Sequence, residues 1–403
     1  MNEVTTVGVL GAGTMGAGIA QVAAEAGLEV LLHDPDAGAT DRALDRIGGF
    51  LARKVEKGQL TDDGLAAAVG RLGTSAMLEG LAVAELVIEA IPEDLDLKRD
   101  AFRRLDAVAV AGTILATNTS SLGVARIASA TAHPGRVVGM HFFNPVPLMA
   151  LVEVIPGPMT DPAVTDTVAY LARLMGKTPV VAADTPGFIV NRVQRAYYLE
   201  ALRLLEGGLA EVTAIDSAMR GIGFRLGPFE LADVVGTDVN LAAGIAIFEG
   251  FFGDPRYRPA QVQRRVADAG RLGRKTSAGY YDYDADGSRG AAWPALVVRP
   301  STVPQVARLD AAQIEARILA AIVNEAASAV ADGVASPESI DTAMRLATNW
   351  PDGPLAWGER IGLPSVVHSL DAMHATVPDG RYRVTPLLRV LADSGRSFFP
   401  ARD

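Results

Sequence analysis

The run Gly11-Ala12-Gly13-Thr14-Met15-Gly16 constrains this chain more than any other feature. It directly follows a β-rich segment, Val4–Leu10, and opens a helical pattern over Thr14–Ala26. Small residues at this spacing permit a tight turn, close approach of another group to the backbone, and close packing of helix on strand. A helix N-terminus attracts negative charge, so the turn reads as a pyrophosphate cradle. A second strand pattern, Glu29–His33, ends at Asp34, the acidic residue that the fingerprint requires. Asp34 can accept hydrogen bonds from adenosine ribose hydroxyls and would repel a 2′-phosphate, and neither Pro35 nor Asp36 offers an Arg for one. NAD is therefore expected rather than NADP, held by Gly11, Gly13, Thr14, Met15, Gly16 and Asp34. The competing readings are an ordinary Gly-rich turn and a helix cap at Asp34.

Beyond this unit, strand and helix patterns keep alternating. A helical stretch runs from Asp36 to about Lys57, and Glu85–Ile91, Thr113–Thr117 and Val137–Phe142 read as buried strands, with Asp94–Ala109 helical between two of them. Such alternation predicts an α/β, doubly wound, mostly parallel Rossmann-type sheet. After Pro186 the texture becomes helical, and Asp284–Pro304 is rich in Gly, Ser and Pro and reads as a linker.

The two helical regions repeat each other. Arg192, Glu200–Ala201, Gly208, Ala210, Ile215–Asp216 and Ala218–Arg220 answer to Arg317, Glu325–Ala326, Gly333, Ala335, Ile340–Asp341 and Ala343–Arg345 at a constant offset of 125 (317 − 192 = 125). Gly227–Pro228 answers to Gly353–Pro354 at 126, so one residue is inserted there. The expected organisation is a cofactor domain over 1–184, an all-α domain over 185–290, a linker over 291–309 and a degenerate second copy over 310–403.

Composition excludes several classes of function. With 37 Lys+Arg against 47 Asp+Glu, the net charge of −10 argues against a nucleic-acid binder, which needs a broad basic face. The chain has no cysteine, which rules out disulfides, thiol nucleophiles and Cys-ligated zinc. Its five histidines give no metal-ligand pattern, so no metal is expected. The N-terminus lacks a basic segment with a cleavage site, and no apolar run reaches the ~18 residues of a membrane span, so a cytoplasmic protein is expected, with no membrane partner.

Seven segments carry a resemblance: GAGTMGAG (11–18), VIEAIPE (87–93), ATNTSSL (116–122), HFFNPVPLMALVEV (141–154), DTPGFIVNR (184–192), GPFEL (227–231) and GRKTSAGYY (273–281). In this order and covering about the first 280 residues, they resemble the L-3-hydroxyacyl-CoA dehydrogenase family. The repeated region resembles the extra C-terminal domain of longer members, and the helical domains are similar to the C-terminal domain of 6-phosphogluconate dehydrogenase. The implied activity is NAD-dependent oxidation of an L-3-hydroxyacyl-CoA to a 3-oxoacyl-CoA. Oxidising a secondary alcohol needs a base for the hydroxyl proton, and histidine suits that task because its ordinary pKa lies near neutrality. His141 stands at a strand end before Asn144–Pro145, and Glu153 lies in Leu151–Ile155, which can return beside that strand. A carboxylate on the other ring nitrogen would fix the tautomer and stabilise the imidazolium.

The resemblance further implies that Ser120 bonds the reacting oxygen and that Asn191 contacts the substrate. It places Glu93 and Lys98 beside the nicotinamide ribose, with Asn144 near the nicotinamide, and sets Arg53, Lys54 and Lys57 against the CoA nucleotide. For Ser120 the structural alternative is an N-cap before Leu122–Ile127, a role open to Ser121 too. For the three basic residues it is a solvated helix face. Asp310–Asp403 lacks the chemistry, since Ala316 stands where Asn191 does in the first copy (316 − 191 = 125). It reads as a packing module that forms a pseudo-dimer within one chain, unless the protein is a homodimer. Two other functions fit the same residues less well: a dehydrogenase of a CoA-free hydroxy acid, and a non-enzymatic, crystallin-like member.

Overall fold

The computed structural model describes residues 4–296 and 308–399. It divides into two compact units, one ending at Phe188 and one beginning at Ile189. The first is a single eight-stranded sheet flanked by helices. Its elements run β1 (Thr6–Leu10), α1 (Thr14–Glu25), β2 (Glu29–His33), α2 (Ala37–Glu56), α3 (Asp62–Gly70), β3 (Leu72–Thr74), β4 (Leu86–Glu89), α4 (Leu95–Val108), β5 (Ile114–Thr117), α5 (Val124–Ala128), β6 (Val137–Phe142), β7 (Leu151–Pro156), α6 (Pro162–Leu174) and β8 (Thr178–Val181). Strand order is β3-β2-β1-β4-β5-β6-β7-β8, with only the β6–β7 pair antiparallel. The order reverses direction at β1, and ligands bind outside the carboxyl ends of strands at such a switch point. The strands are apolar on both faces because helices cover both sides: Val7, Val9 and Ile88 are buried on one face, and Leu10, Val87 and Leu115 on the other.

The second unit holds α7 (Val190–Glu206), α8 (Val212–Gly221), α9 (Pro228–Val235), α10 (Thr237–Gly250), α11 (Gln261–Asp268), β9 (Tyr281–Tyr283), β10 (Arg289–Ala292), α12 (Ala311–Ala331), α13 (Pro337–Thr348), α14 (Pro354–Ile361), α15 (Leu363–Thr376) and α16 (Pro386–Ser394). The expected linker is partly ordered: Arg289–Ala292 pairs antiparallel with Tyr281–Tyr283, and Arg289 stacks over Tyr281. Residues 297–307 of that linker lie outside the described residues.

Both helical copies belong to one compact unit, and their contacts are reciprocal. Arg192 on α7 pairs with Glu325 on α12 at 2.7 Å, and its counterpart Arg317 pairs with Glu200 at 2.7 Å. Tyr257 donates to Glu325 at 2.6 Å, and Tyr382, at offset 125, to Glu200 at 3.3 Å. Arg258 pairs with Asp379 and Arg383 with Asp254, at 3.6 and 3.2 Å. Residue i of one copy meets residue j of the other and vice versa, which is the contact pattern of an isologous dimer. The duplicated Gly-Pro pairs have the same cause in both copies. Asp216 accepts from the Phe229 and Glu230 N–H groups at the start of α9, and Asp341 from those of Leu355 and Ala356 on α14. A Cβ on Gly227 or Gly353 would lie 2.3 or 2.1 Å from the carboxyl carbon of that aspartate.

Candidate active site

His141 is the fifth residue of β6, and the antiparallel register sets it directly opposite Glu153 on β7. Opposed residues on such a pair share a face. His141 Nδ1 lies 2.7 Å from Glu153 Oε2, and both side chains are buried. With the carboxylate accepting at Nδ1, the neutral tautomer favoured here carries its proton on that nitrogen and has its lone pair on Nε2. The imidazole packs against the rings of Phe143 and Phe188, at centroid distances of 4.5 and 5.9 Å.

The DTPGF segment is built around this packing. Asp184 accepts from the Val124 and Ala125 N–H groups at 2.9 and 2.8 Å and so caps α5. Phe188 is buried with a φ of 48°, the left-handed region. Phe188 is the last residue of the first compact unit.

Neither serine caps α5, contrary to the structural alternative, because Gly123 is the N-cap and Asp184 supplies the acceptors. Ser120 instead joins a cluster around Glu93. One oxygen of that carboxylate accepts from the Thr119 hydroxyl at 2.7 Å, the Ser120 and Ser121 N–H groups at 3.0 Å each, and the Ser121 hydroxyl at 2.9 Å. Ser120 Oγ lies 3.4 Å from the same oxygen. Burial alone would raise the Glu93 pKa, but Lys98 and these donors outweigh it and hold the carboxyl below its ordinary range. Asn118, which the sequence reading passed over, accepts from Phe142 N–H at 2.8 Å and ties this loop to the end of β6 beside His141.

Lys98 does not stand open to a ligand. Its side chain is 1% exposed, and its ammonium reaches Glu89 at 2.5 Å, the Ile91 carbonyl at 3.2 Å and Glu93 at 3.4 Å. Glu89, also missed from sequence, accepts in addition from the Thr117 hydroxyl at 2.6 Å and Ile91 N–H at 2.8 Å. An ammonium has three N–H donors, and three acceptors surround this one. The Lys98 donors are thus taken up by Glu89, the Ile91 carbonyl and Glu93.

The glycine turn fits a dinucleotide. A Cβ on Gly11, whose φ is 103°, would lie 2.6 Å from the Ala90 carbonyl oxygen, so the protein itself requires that glycine. A Cβ on Gly13 would meet nothing within 4 Å, and no side chain caps the N-terminus of α1. The open space before unpaired helix N–H groups is where a pyrophosphate approaches. Asp34 accepts from Ala12 N–H at 2.8 Å and Asp36 N–H at 3.0 Å, which fixes its carboxylate at the rim of a cleft of about 860 Å³. Thr14, Met15, His33 and Ile91 also line that cleft.

A second cleft of about 430 Å³ shares Thr14 with the first and is lined by Arg53, Lys54, Lys57, Phe50 and Asn144–Leu148. Arg53 and Lys57 face it along α2 and just past its end, and Arg53 stacks over Phe50. Lys54 is already engaged, 2.5 Å from Glu25. Asn191 is the second residue of α7, in the helical unit, and is half-buried.

Three comparisons bear on this geometry. The family profile "3-hydroxyacyl-CoA dehydrogenase, NAD binding domain" matches residues 6–185, and the profile of that family's C-terminal domain matches twice, at 187–283 and 314–398. The chain is 37% identical to the 3-hydroxyadipyl-CoA dehydrogenase of Escherichia coli (strain K12), over 98% of this chain and 99% of that one. It is 43% identical to the probable 3-hydroxybutyryl-CoA dehydrogenase of Bacillus subtilis (strain 168), over 70% of this chain and 98% of that one. The crystal structure of 3-hydroxybutyryl-CoA dehydrogenase from E. coli K12 superposes with a TM-score of 0.89 at 36% identity, over 98% of this chain and all of that one. A switch-point cleft with a dinucleotide turn, a buried His–Glu pair and a duplicated C-terminal domain all agree with these matches: the chain belongs to the 3-hydroxyacyl-CoA dehydrogenase family.

Proposed function

We propose that this protein oxidises a 3-hydroxyacyl-CoA to the 3-oxoacyl-CoA with NAD, reversibly, and that His141 is its general base. The observation that carries the reading is the 2.7 Å contact between two buried groups, His141 Nδ1 and Glu153, within a chain matched end to end by this family. NAD, when bound, supplies the hydride acceptor. His141 Nε2 takes the hydroxyl proton as the carbonyl forms, and Glu153 keeps the ring oriented and stabilises the imidazolium. Ser120, an uncharged donor, holds the reacting oxygen without competing for the proton. Asn191 is assigned the same kind of contact from its motif position. Glu93, whose second oxygen pairs with Lys98 at 3.4 Å, is assigned to the nicotinamide ribose from its motif position, and Asn144 to the nicotinamide in the same way. Arg53 and Lys57 hold CoA phosphates, with Lys54 available only in exchange for Glu25. Incubating the protein with 3-hydroxybutyryl-CoA and NAD tests the reading, since it requires formation of NADH and the 3-oxo thioester together.

Cofactor choice follows from Asp34. Asp34→Arg should raise the KM for NAD and lower that for NADP, reversing the preference, because the arginine replaces the ribose acceptor and pairs with a 2′-phosphate. Steady-state kinetics with both cofactors would check this, and an unchanged ratio would exclude Asp34 from the adenosine site.

The reciprocal contacts of the helical copies support a monomer whose own second copy occupies the surface that a twin subunit would use. Sedimentation velocity is expected to give a single species near the 42.1 kDa chain mass. A tight dimer at micromolar concentration would contradict it.

A further inference from the structure

The segment Asn144–Leu148, one wall of the second cleft, is held from behind by a group with no part in the chemistry. Lys177, between α6 and β8, is buried, and its ammonium donates to the Val146 carbonyl at 2.5 Å and the Met149 carbonyl at 2.9 Å. Its own N–H bonds to Ala172 at the end of α6, and the next residue, Thr178, bonds to the Ala150 carbonyl at 2.7 Å. The lysine is thus fixed to the sheet edge on one side and to the wall on the other. Within the wall, Leu148 and Met149 N–H groups both bond to the Pro145 carbonyl at 3.0 Å.

The wall also rests on α1. A Cβ on Gly18 would lie 2.8 Å from Val146 Cβ and 3.1 Å from its Cγ2, so only a glycine lets the wall come this close to the helix. Burying an ammonium is costly unless it makes hydrogen bonds. A wall that needed only packing would be served by an apolar side chain. The lysine adds direction, because two carbonyls converge on one amine and the turn can settle at only one height.

We propose that Lys177 and Gly18 are positioning residues for the thioester substrate: together they set the Val146–Leu148 wall against Phe50 and Arg53, and so set the KM for acyl-CoA. The proposal rests on the reading of the second cleft as the CoA site. Lys177→Met keeps the aliphatic stem and removes the donors, while Gly18→Ala pushes the wall outward by a different route and favours the helix it sits in.

The experiment measures kcat and KM for acetoacetyl-CoA, the dissociation constant for NADH, and the thermal midpoint, for the wild type and both variants. Each variant is expected to raise the thioester KM by about tenfold, with kcat and NADH affinity near wild type, as loss of uniform binding does. Wild-type KM in both variants, or a fall in kcat at constant KM, would overturn the proposal. So would a loss of NADH binding in step with thermal stability, because a purely structural role predicts that. A wild type that does not turn over the thioester would instead overturn the proposed function, so the two failures are distinguishable.

Discussion

His141→Ala is expected to lower kcat by about 10²- to 10⁴-fold, the range lost when a positioned general base is removed. The hydroxyl proton must leave as the carbonyl forms, and without the imidazole it passes to water, a far weaker base. NADH affinity should be unchanged, since the dinucleotide turn joins β1 to α1 and Asp34 follows β2, while His141 is on β6. Glu153→Gln should lower kcat in the same direction but by less. The amide oxygen still accepts from Nδ1–H, so the tautomer survives, but the charge that stabilises the imidazolium is gone. Single-turnover hydride transfer, followed by NADH absorbance, reads both. Comparable rates in wild type and His141→Ala would remove His141 from the chemistry.

Arg192→Met is expected to destabilise the protein by about 3–5 kcal/mol, the cost of leaving one member of a buried ion pair unmatched. Arg192 is fully buried and reaches Glu325 at 2.7 Å, Asp332 at 2.6 Å and Ser328 at 3.1 Å. Removing it strands Glu325 inside the helical unit, with Tyr257 still donating and Arg256 at 3.8 Å. The double variant Arg192→Met with Glu325→Met should recover much of that loss, because the buried carboxylate goes with its partner and the half-exposed Asp332 is left to solvent. Urea unfolding monitored by far-UV circular dichroism would measure both. A single variant within experimental error of wild type would show that the reciprocal pairs do not hold the two copies together.

Much of the fold was legible because its signals are local. Period and punctuation placed β1, α1, β2, β6 and β7 within two residues of their observed ends, since a buried strand closed by a glycine turn has few other readings. The three-residue strand β3 and the sheet-edge strand β8, which contains Pro179, carry no such pattern and were missed. The strand Arg289–Ala292 carries no sequence signal because Gly and Ser mask a short segment that, among the described residues, pairs with β9 alone.

At the site, His141 and Glu153 could be paired from sequence because a hairpin brings nearby residues face to face. Contacts spanning distant elements could not. Nothing in the sequence says that Lys98 is buried against Glu89, that Lys54 is taken by Glu25, or that Asp184 rather than a serine caps α5. The offset of 125 did show that Arg192 and Arg317 are counterparts. Only the packing of α7 on α12 crosses their partners, joining each arginine to the other copy's glutamate.

The most direct test of the central claim is NADH oxidation with acetoacetyl-CoA measured beside free acetoacetate at equal concentration. The His141–Glu153 pair would serve either substrate, whereas the phosphates proposed to meet Arg53 and Lys57 in the second cleft are present only in the thioester. The account predicts rapid turnover of the thioester and little or none of the free acid. Equal or faster use of the free acid would contradict it and make this chain a dehydrogenase of CoA-free hydroxy acids.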